Sequence, residues 1–309
     1  MIQKLLRLAR VTKYLPYFRG IFLLKCFYRA VLPHRDLHLS VDDFDGDLKL
    51  EELDVRDTMG VNIWHRPDFF DKNQRALFCG QIGPGSTVLD VGANVGVYTL
   101  LAAKRGARVF AIEADPRNVE LLRRHVRING FEDRVTIFPT AVGDREGTVS
   151  LFRLEGNCGH SNLFAGTDPV QVPCRTIDSL NLPPIQVCKM DIEGGEMKAL
   201  LGMQATIQNS PTMKMLIEYA ECWGATEGML EFIRGRFRSL HAVRRAPLWP
   251  TGPLRADMKI PPFCDLWALR SHSMFDSAPC RSHTAKWHFP QENAASNTAV
   301  TSTSGSKML

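Results

Sequence analysis

The sequence predicts an α/β fold, a mostly parallel sheet with helices on both faces, and three observations predict it. Short apolar runs alternate with amphipathic stretches over about 180 residues, as expected where helices join and cover parallel strands. A glycine-bearing turn, V-L-D-V-G-A-N-V-G at residues 88–96, stands where a strand becomes a helix. The chain has 309 residues, 44% apolar and 23% charged, enough to bury a substantial core. Disorder throughout is excluded. No uncharged apolar run approaches the roughly 18 to 20 residues that span a bilayer, which argues against a helical channel or transporter.

Charge is arranged in blocks. Residues 1–35 hold eight cations from Lys4 to Arg35 and no acid, interleaved with Leu, Ile, Phe and Tyr and broken at Pro16 and Gly20. Two short amphipathic helices fit this pattern. An interfacial anchor on an anionic membrane surface and a helical cap packed on the main domain both stay open. Residues 36–57 reverse the sign, with nine acids against Lys49 and Arg56.

From His38 to Ile63, short alternating runs around a D-G pair read as a β-hairpin. A calcium loop would place Asp43, Asp45 and Glu52 correctly around Gly46, but Val41 occupies the first position, where a ligand oxygen is required. The D-G turn explains the same residues. Phe69, Phe70, Leu77, Phe78 and Ile82 then form one apolar helical face.

The main domain follows in order. T-V-L-D-V is a strand, N-V-G-V-Y-T-L-L-A-A-K-R a helix and R-V-F-A-I-E a second strand. A helix starts at Asp115 and Pro116 and stops at Gly130, and R-V-T-I-F-P-T-A-V is a third strand. An antiparallel insertion fills 147–175. Strand I-Q-V-C-K-M-D-I, helix G-E-M-K-A-L-L-G-M, strand M-K-M-L-I-E-Y and helix T-E-G-M-L-E-F-I-R-G-R-F come next. S-L-H-A-V and F-C-D-L-W-A-L-R close the sheet. The expected divisions are a basic segment 1–35, a hairpin and helix 36–82, a main domain 83–270 and a disordered Ser-rich tail 271–309. Eight scattered cysteines without a C-x-x-C pair match neither a zinc site nor a disulfide scaffold, so they read as reduced thiols in a cytoplasmic protein.

In open α/β sheets ligands sit at the carboxyl ends of the strands, so Gly92 and Gly96 read as clearing space for a ligand. A nicotinamide dinucleotide needs G-x-G-x-x-G, and Asn94 and Val97 stand where that pattern demands glycine. Asp90 would also set a carboxylate near its pyrophosphate. S-adenosylmethionine reverses the judgement, because it carries a sulfonium and an ammonium group and no phosphate. Asp90 then suits the aminoacyl end, and Glu113, ending the second strand, suits the ribose diol. S-adenosylmethionine is the cofactor favoured.

D-V-G-A-N-V-G, E-A-D-P-R-N, N-G, A-V-G-D, R-T-I-D-S-L, K-M-D-I-E-G-G-E and L-I-E, in this order between about Leu50 and Glu221, resemble the FkbM-type methyltransferases. The resemblance implies a class I, Rossmann-like methyltransferase fold with an antiparallel last strand, and methylation of hydroxyls on natural products or sugars. It implies that Asp90, Gly92, Asn94 and Gly96 line the methionine end, that Glu113 takes the ribose, and that Ala141 and Val142 border the adenine. Asp144 would help to hold that last loop.

Lys189, Asp191, Glu193 and Glu196 crowd one strand end, where unpartnered charge beside an apolar run is costly. Asp191, Glu193 and His160, the last in the polar loop G-N-C-G-H-S-N, are the candidate bases. Glu196 equally suits the dipole of the next helix, and Asp178 suits a turn cap. No metal site is expected, although Asp191 and Glu218 together are weighed as Mg²⁺ ligands. The reading is a methyltransferase acting on a small-molecule or glycan hydroxyl, with no nucleic-acid partner. A nucleotide-dependent oxidoreductase and a non-catalytic membrane-associated binding protein are the alternatives.

Overall fold

The computed structural model describes residues 38–54, 58–65, 67–68, 70–154, 157–162, 167–220, 228–243, 252–253 and 263–270. The basic segment 1–35 and the tail 271–309 lie outside the described residues.

The described residues open with the expected hairpin, β1 (His38–Phe44) and β2 (Leu48–Asp54), turned at Asp45 and Gly46 with positive φ angles of 50° and 99°. Asp45 pairs with Arg75 at 3.2 Å and Arg105 at 3.5 Å, and Glu52 with Arg124 at 2.8 Å, so the hairpin acids meet arginines. A helix the sequence reading missed, α1 (Thr58–His65), follows; its V-N-I stretch mimics strand alternation. The next helix is shorter than the apolar face suggested, α2 (Lys72–Cys79), with Phe78 fully buried.

The main sheet then begins: β3 (Thr87–Val91), α3 (Val97–Lys104), β4 (Arg108–Glu113) and α4 (Pro116–Ile128). Helix α4 starts where expected. Pro116 occupies its first turn, and the Asp115 carboxylate accepts from the Arg117 amide at 2.9 Å. The expected third strand divides at Thr140. Its first part, β5 (Val135–Pro139), is the edge of the main sheet, and its second, β6 (Ala141–Val142), pairs with the insertion. The Thr140 hydroxyl, donating to the Pro173 carbonyl at 2.9 Å, ties the break to that insertion.

The insertion is β7 (Gly147–Leu154), β8 (Asn157–Asn162) and β9 (Thr167–Arg175) in a separate sheet ordered β6-β9-β7-β8. The chain returns through β10 (Val187–Met190), α5 (Glu196–Leu201), a further short helix α6 (Gln204–Gln208), β11 (Lys214–Ala220), α7 (Met229–Arg234), β12 (Ser239–Val243), β13 (Gly252–Pro253) and β14 (Phe263–Leu269). The eight-stranded order is β13-β12-β14-β11-β10-β3-β4-β5. Strand β14 runs antiparallel to both β11 and β12, which is the class I methyltransferase arrangement.

Strand alternation divides the core. Val88, Val109, Ala111, Val187 and Leu216 pack with the hairpin and α3, whereas Leu89, Phe110, Cys188, Met215 and Ile217 pack on the opposite face with α5 and α7. Asp90, Lys189 and Glu218 share the first parity. Their charges therefore face α3 and the N-terminal extension. No helix among the described residues is long and apolar enough to cross a membrane.

Candidate functional site

The loop between β3 and α3 lies beside the end of β10. Gly92 has φ +79°, its amide donates to the Ile112 carbonyl at 2.9 Å, and the main-chain oxygen of Asp191 occupies the space a β-carbon would need. Gly96, with φ +98°, would place a β-carbon 2.6 Å from Leu122 of α4. Both glycines thus make room for the protein's own chain, and Gly92 also lines the cleft at these strand ends. Asn94 takes the left-handed conformation that asparagine tolerates, φ 51°.

Glu113 is the hub of this loop. One carboxylate oxygen accepts from the Asn94 amide at 2.7 Å and the other from the Asp115 amide at 2.8 Å. Burial pushes its carboxyl up to about 7, against the opposing pull of those two amides. Asp90 is 1% exposed and accepts from the Thr99 hydroxyl at 2.6 Å; burial pushes it up to about 6.

At the end of β10, the buried Lys189 ammonium lies 2.9 Å from Asp191 and 5.2 Å from the centre of the Tyr98 ring. Tyr98 in turn donates to Asp71 at 3.2 Å. Glu193 holds a left-handed φ of 55°, an uncommon conformation for a side-chain-bearing residue. Glu196 accepts from the amides of Ile192 at 2.9 Å and Gly194 at 3.3 Å, so it braces the turn; burial pushes it up to about 7. One carboxylate oxygen each from Asp191, Glu193 and Glu218 lie within 4.8 Å of one another, a set able to hold a divalent cation. The sequence reading weighed Asp191 and Glu218 for this and missed the third member.

An open cleft of about 610 Å³, including its solvent-filled mouth, runs along these strand ends. Gly92, Asn94, Glu113, Ala141, Val142, Asp191 and Glu193 line it, together with Asn118, Thr140 and Leu151, which the sequence reading did not single out. Asp90 and Gly96 are not among its walls: the first points at Thr99, the second packs on Leu122. His160 has its backbone in β8, and its side chain lies outside the described residues. Asp144 is exposed and off the cleft. Asp178 caps α6, accepting from the Thr206 amide at 2.7 Å and the Ala205 amide at 3.0 Å.

Among the described residues the walls carry three carboxylates, Glu113, Asp191 and Glu193, and no lysine or arginine. A dinucleotide pyrophosphate finds no counter-charge there, whereas a cationic sulfonium or ammonium group does. Residues 90–241 match the Methyltransferase FkbM domain. These residues form an FkbM-type methyltransferase domain. Its cofactor is S-adenosylmethionine.

The FkbM-type domain also resembles parts of other methyltransferases. It is 30% identical over 100 residues to a mitochondrial ribosomal RNA small subunit methyltransferase of Arabidopsis thaliana, covering 30% of this chain and 26% of that protein. It is 32% identical over 114 residues to protein arginine N-methyltransferase 6 of Danio rerio, covering 35% and 30%. The match therefore spans between about a quarter and a third of these curated relatives. A solved FkbM methyltransferase from Methylobacillus flagellatus superposes with a TM-score of 0.42 at 18% identity, over 68% of this chain and 54% of that one.

Proposed function

We propose that this FkbM-type chain transfers a methyl group from S-adenosylmethionine to a hydroxyl of a small molecule or glycan, with Asp191 as general base. The observation that carries the reading is the pair of carboxylates, Asp191 and Glu193, at the end of β10, in the same cleft as Glu113 at the end of β4. One strand separates β10 from β4, so these chain ends stand roughly 10 Å apart.

When bound, the cofactor supplies a methyl carbon already activated by its sulfonium. The protein's part is to align the acceptor and remove one proton. Asp191 accepts that proton, and Lys189 balances its charge. Glu193 shapes the same wall. Glu113, fixed by the Asn94 and Asp115 amides, keeps lone pairs for the ribose hydroxyls, and Ala141 and Val142 border the base.

A second acceptor class is favoured by the crowding of Asp191, Glu193 and Glu218. Such a set suits a cationic nitrogen as well as a hydroxyl. The relatives in zebrafish and Arabidopsis are named for protein arginine and ribosomal RNA, so both chemistries belong in the test. Radiolabelled cofactor is offered with hydroxylated metabolites, glycans, an arginine-rich peptide and ribosomal RNA. Label in a hydroxyl of a metabolite or glycan supports the proposal, and label confined to peptide or RNA nitrogen overturns it.

A further inference from the structure

His125 of α4 is fully buried and bridges two parts of the chain that the methyl-transfer chemistry does not join. Its Nδ1 lies 2.6 Å from the carbonyl of Val95, in the loop between β3 and α3. Its Nε2 lies 3.0 Å from the Glu51 amide and 2.8 Å from the Glu51 carbonyl, in β2 of the N-terminal hairpin. A carbonyl only accepts, so the ring can donate from Nδ1 to Val95 while Nε2 accepts from the Glu51 amide. From Val95 the path continues inward. The Val95 amide donates to the Asn94 side chain at 2.7 Å, and the Asn94 amide donates to Glu113 at 2.7 Å.

We propose that His125 is a positioning residue that couples the N-terminal hairpin to the cofactor loop, so that S-adenosylmethionine binding and hairpin docking reinforce each other. The hairpin is attached to α4 by contacts of two kinds. Asn129 exchanges bonds with the Lys49 backbone at 2.9 and 2.8 Å, and Arg124 pairs with Glu51 and Glu52 at 2.8 Å each; these reach no cofactor residue. Only the His125 bond, among these attachments, also holds the loop that presents Asn94 to Glu113. Coupling is reciprocal, so a cofactor that orders this loop must also stabilise the hairpin through the same ring. The inference rests on the assignment of Glu113 to the ribose.

The test uses the full-length protein, hydrogen exchange and calorimetry. Saturating S-adenosylmethionine slows exchange at the Glu51 amide about tenfold in the wild type. His125→Leu, close in volume and without ring nitrogens, binds the cofactor about tenfold more weakly and loses that protection. Arg124→Ala, which removes part-exposed ion pairs to Glu51 and Glu52 and leaves the His125 bonds and the docked hairpin in place, keeps both the affinity and the protection. Unchanged Glu51 exchange in cofactor-saturated wild type overturns the proposal, and this arm holds even where His125→Leu does not fold. Wild-type affinity in a folded His125→Leu overturns it too. Glu113→Ala is the separating control: undiminished affinity there removes the ribose assignment, whereas a loss there with none in His125→Leu removes only the relay.

Discussion

The main-chain oxygen of Asp191 fills the space where a β-carbon on Gly92 would sit, so the loop after β3 and the end of β10 touch backbone to backbone. The contact sets the proposed base against the cofactor loop. Gly92→Ala must give up a left-handed φ of +79° and push Asp191 aside. The two costs together come to about 2 to 5 kcal/mol of stability. Chemical denaturation checks this, and a variant within 0.5 kcal/mol of wild type, about the range of ordinary surface substitutions, would show that the contact is not tight.

Glu193 stores strain of the same sort without a glycine to relieve it. Glu193→Gly removes the penalty at φ 55° and should raise stability by up to about 1 kcal/mol while lowering turnover. Thermal melts and single-turnover rates measured side by side decide the point. A variant that loses stability as well as turnover contradicts it.

The buried carboxyls give a sign to the pH dependence. Asp90 at about 6 and Glu113 and Glu196 at about 7 all lie above their unfolded values, so the folded state holds extra protons across that window. Their contribution to stability is complete below the unfolded pKa of about 4 and is lost as pH rises through 6 to 7. The cofactor-free protein should therefore have a smaller stability slope in this range when Glu196 is replaced by Gln. An unchanged slope in Glu196→Gln would mean that Glu196 titrates normally.

Cofactor binding runs the other way with pH. Ribose hydroxyls donate best to an ionised Glu113, so affinity should weaken as pH falls below about 7 and binding should release protons near that pH. Calorimetry in two buffers of different ionisation enthalpy measures the release. Proton uptake on binding would reverse the assignment.

Much of this was legible in the sequence because strand and helix periods are local properties. The run from Thr87 to Gly130, with its Asp115 cap and its glycine stop, could be read residue by residue. The division of the third strand at Thr140 could not, since its cause is the Pro173 carbonyl, 33 residues away. His125 looked like one more polar position in a basic helix; its partners are backbone atoms of Val95 and Glu51, which leave no side-chain signature. The charged residues of β10 were conspicuous. That Lys189, Asp90 and Glu218 share one sheet face required the register of three strands. Asp178 belonged to a recognisable motif, yet its role is to cap a short helix that the sequence reading did not resolve.

Asp191 carries the proposed chemistry. Asp191→Asn should keep the fold and lower turnover by at least about a hundredfold, the lower range for loss of a general base. A chelator added to the wild type tests the carboxylate set of Asp191, Glu193 and Glu218 in parallel. Activity lost to the chelator and restored by Mg²⁺ would give those acids a metal to hold and displace the base from its role.

The most direct test of the account is calorimetric titration of wild type and Glu113→Ala with S-adenosylmethionine and with NAD. The wild type should bind S-adenosylmethionine and not NAD, and losing the charged acceptor should cost about 1.5 to 3 kcal/mol, roughly ten- to a hundredfold in affinity. Equal affinity of wild type and Glu113→Ala for S-adenosylmethionine, or tight binding of NAD, would contradict the placement of the cofactor in this cleft.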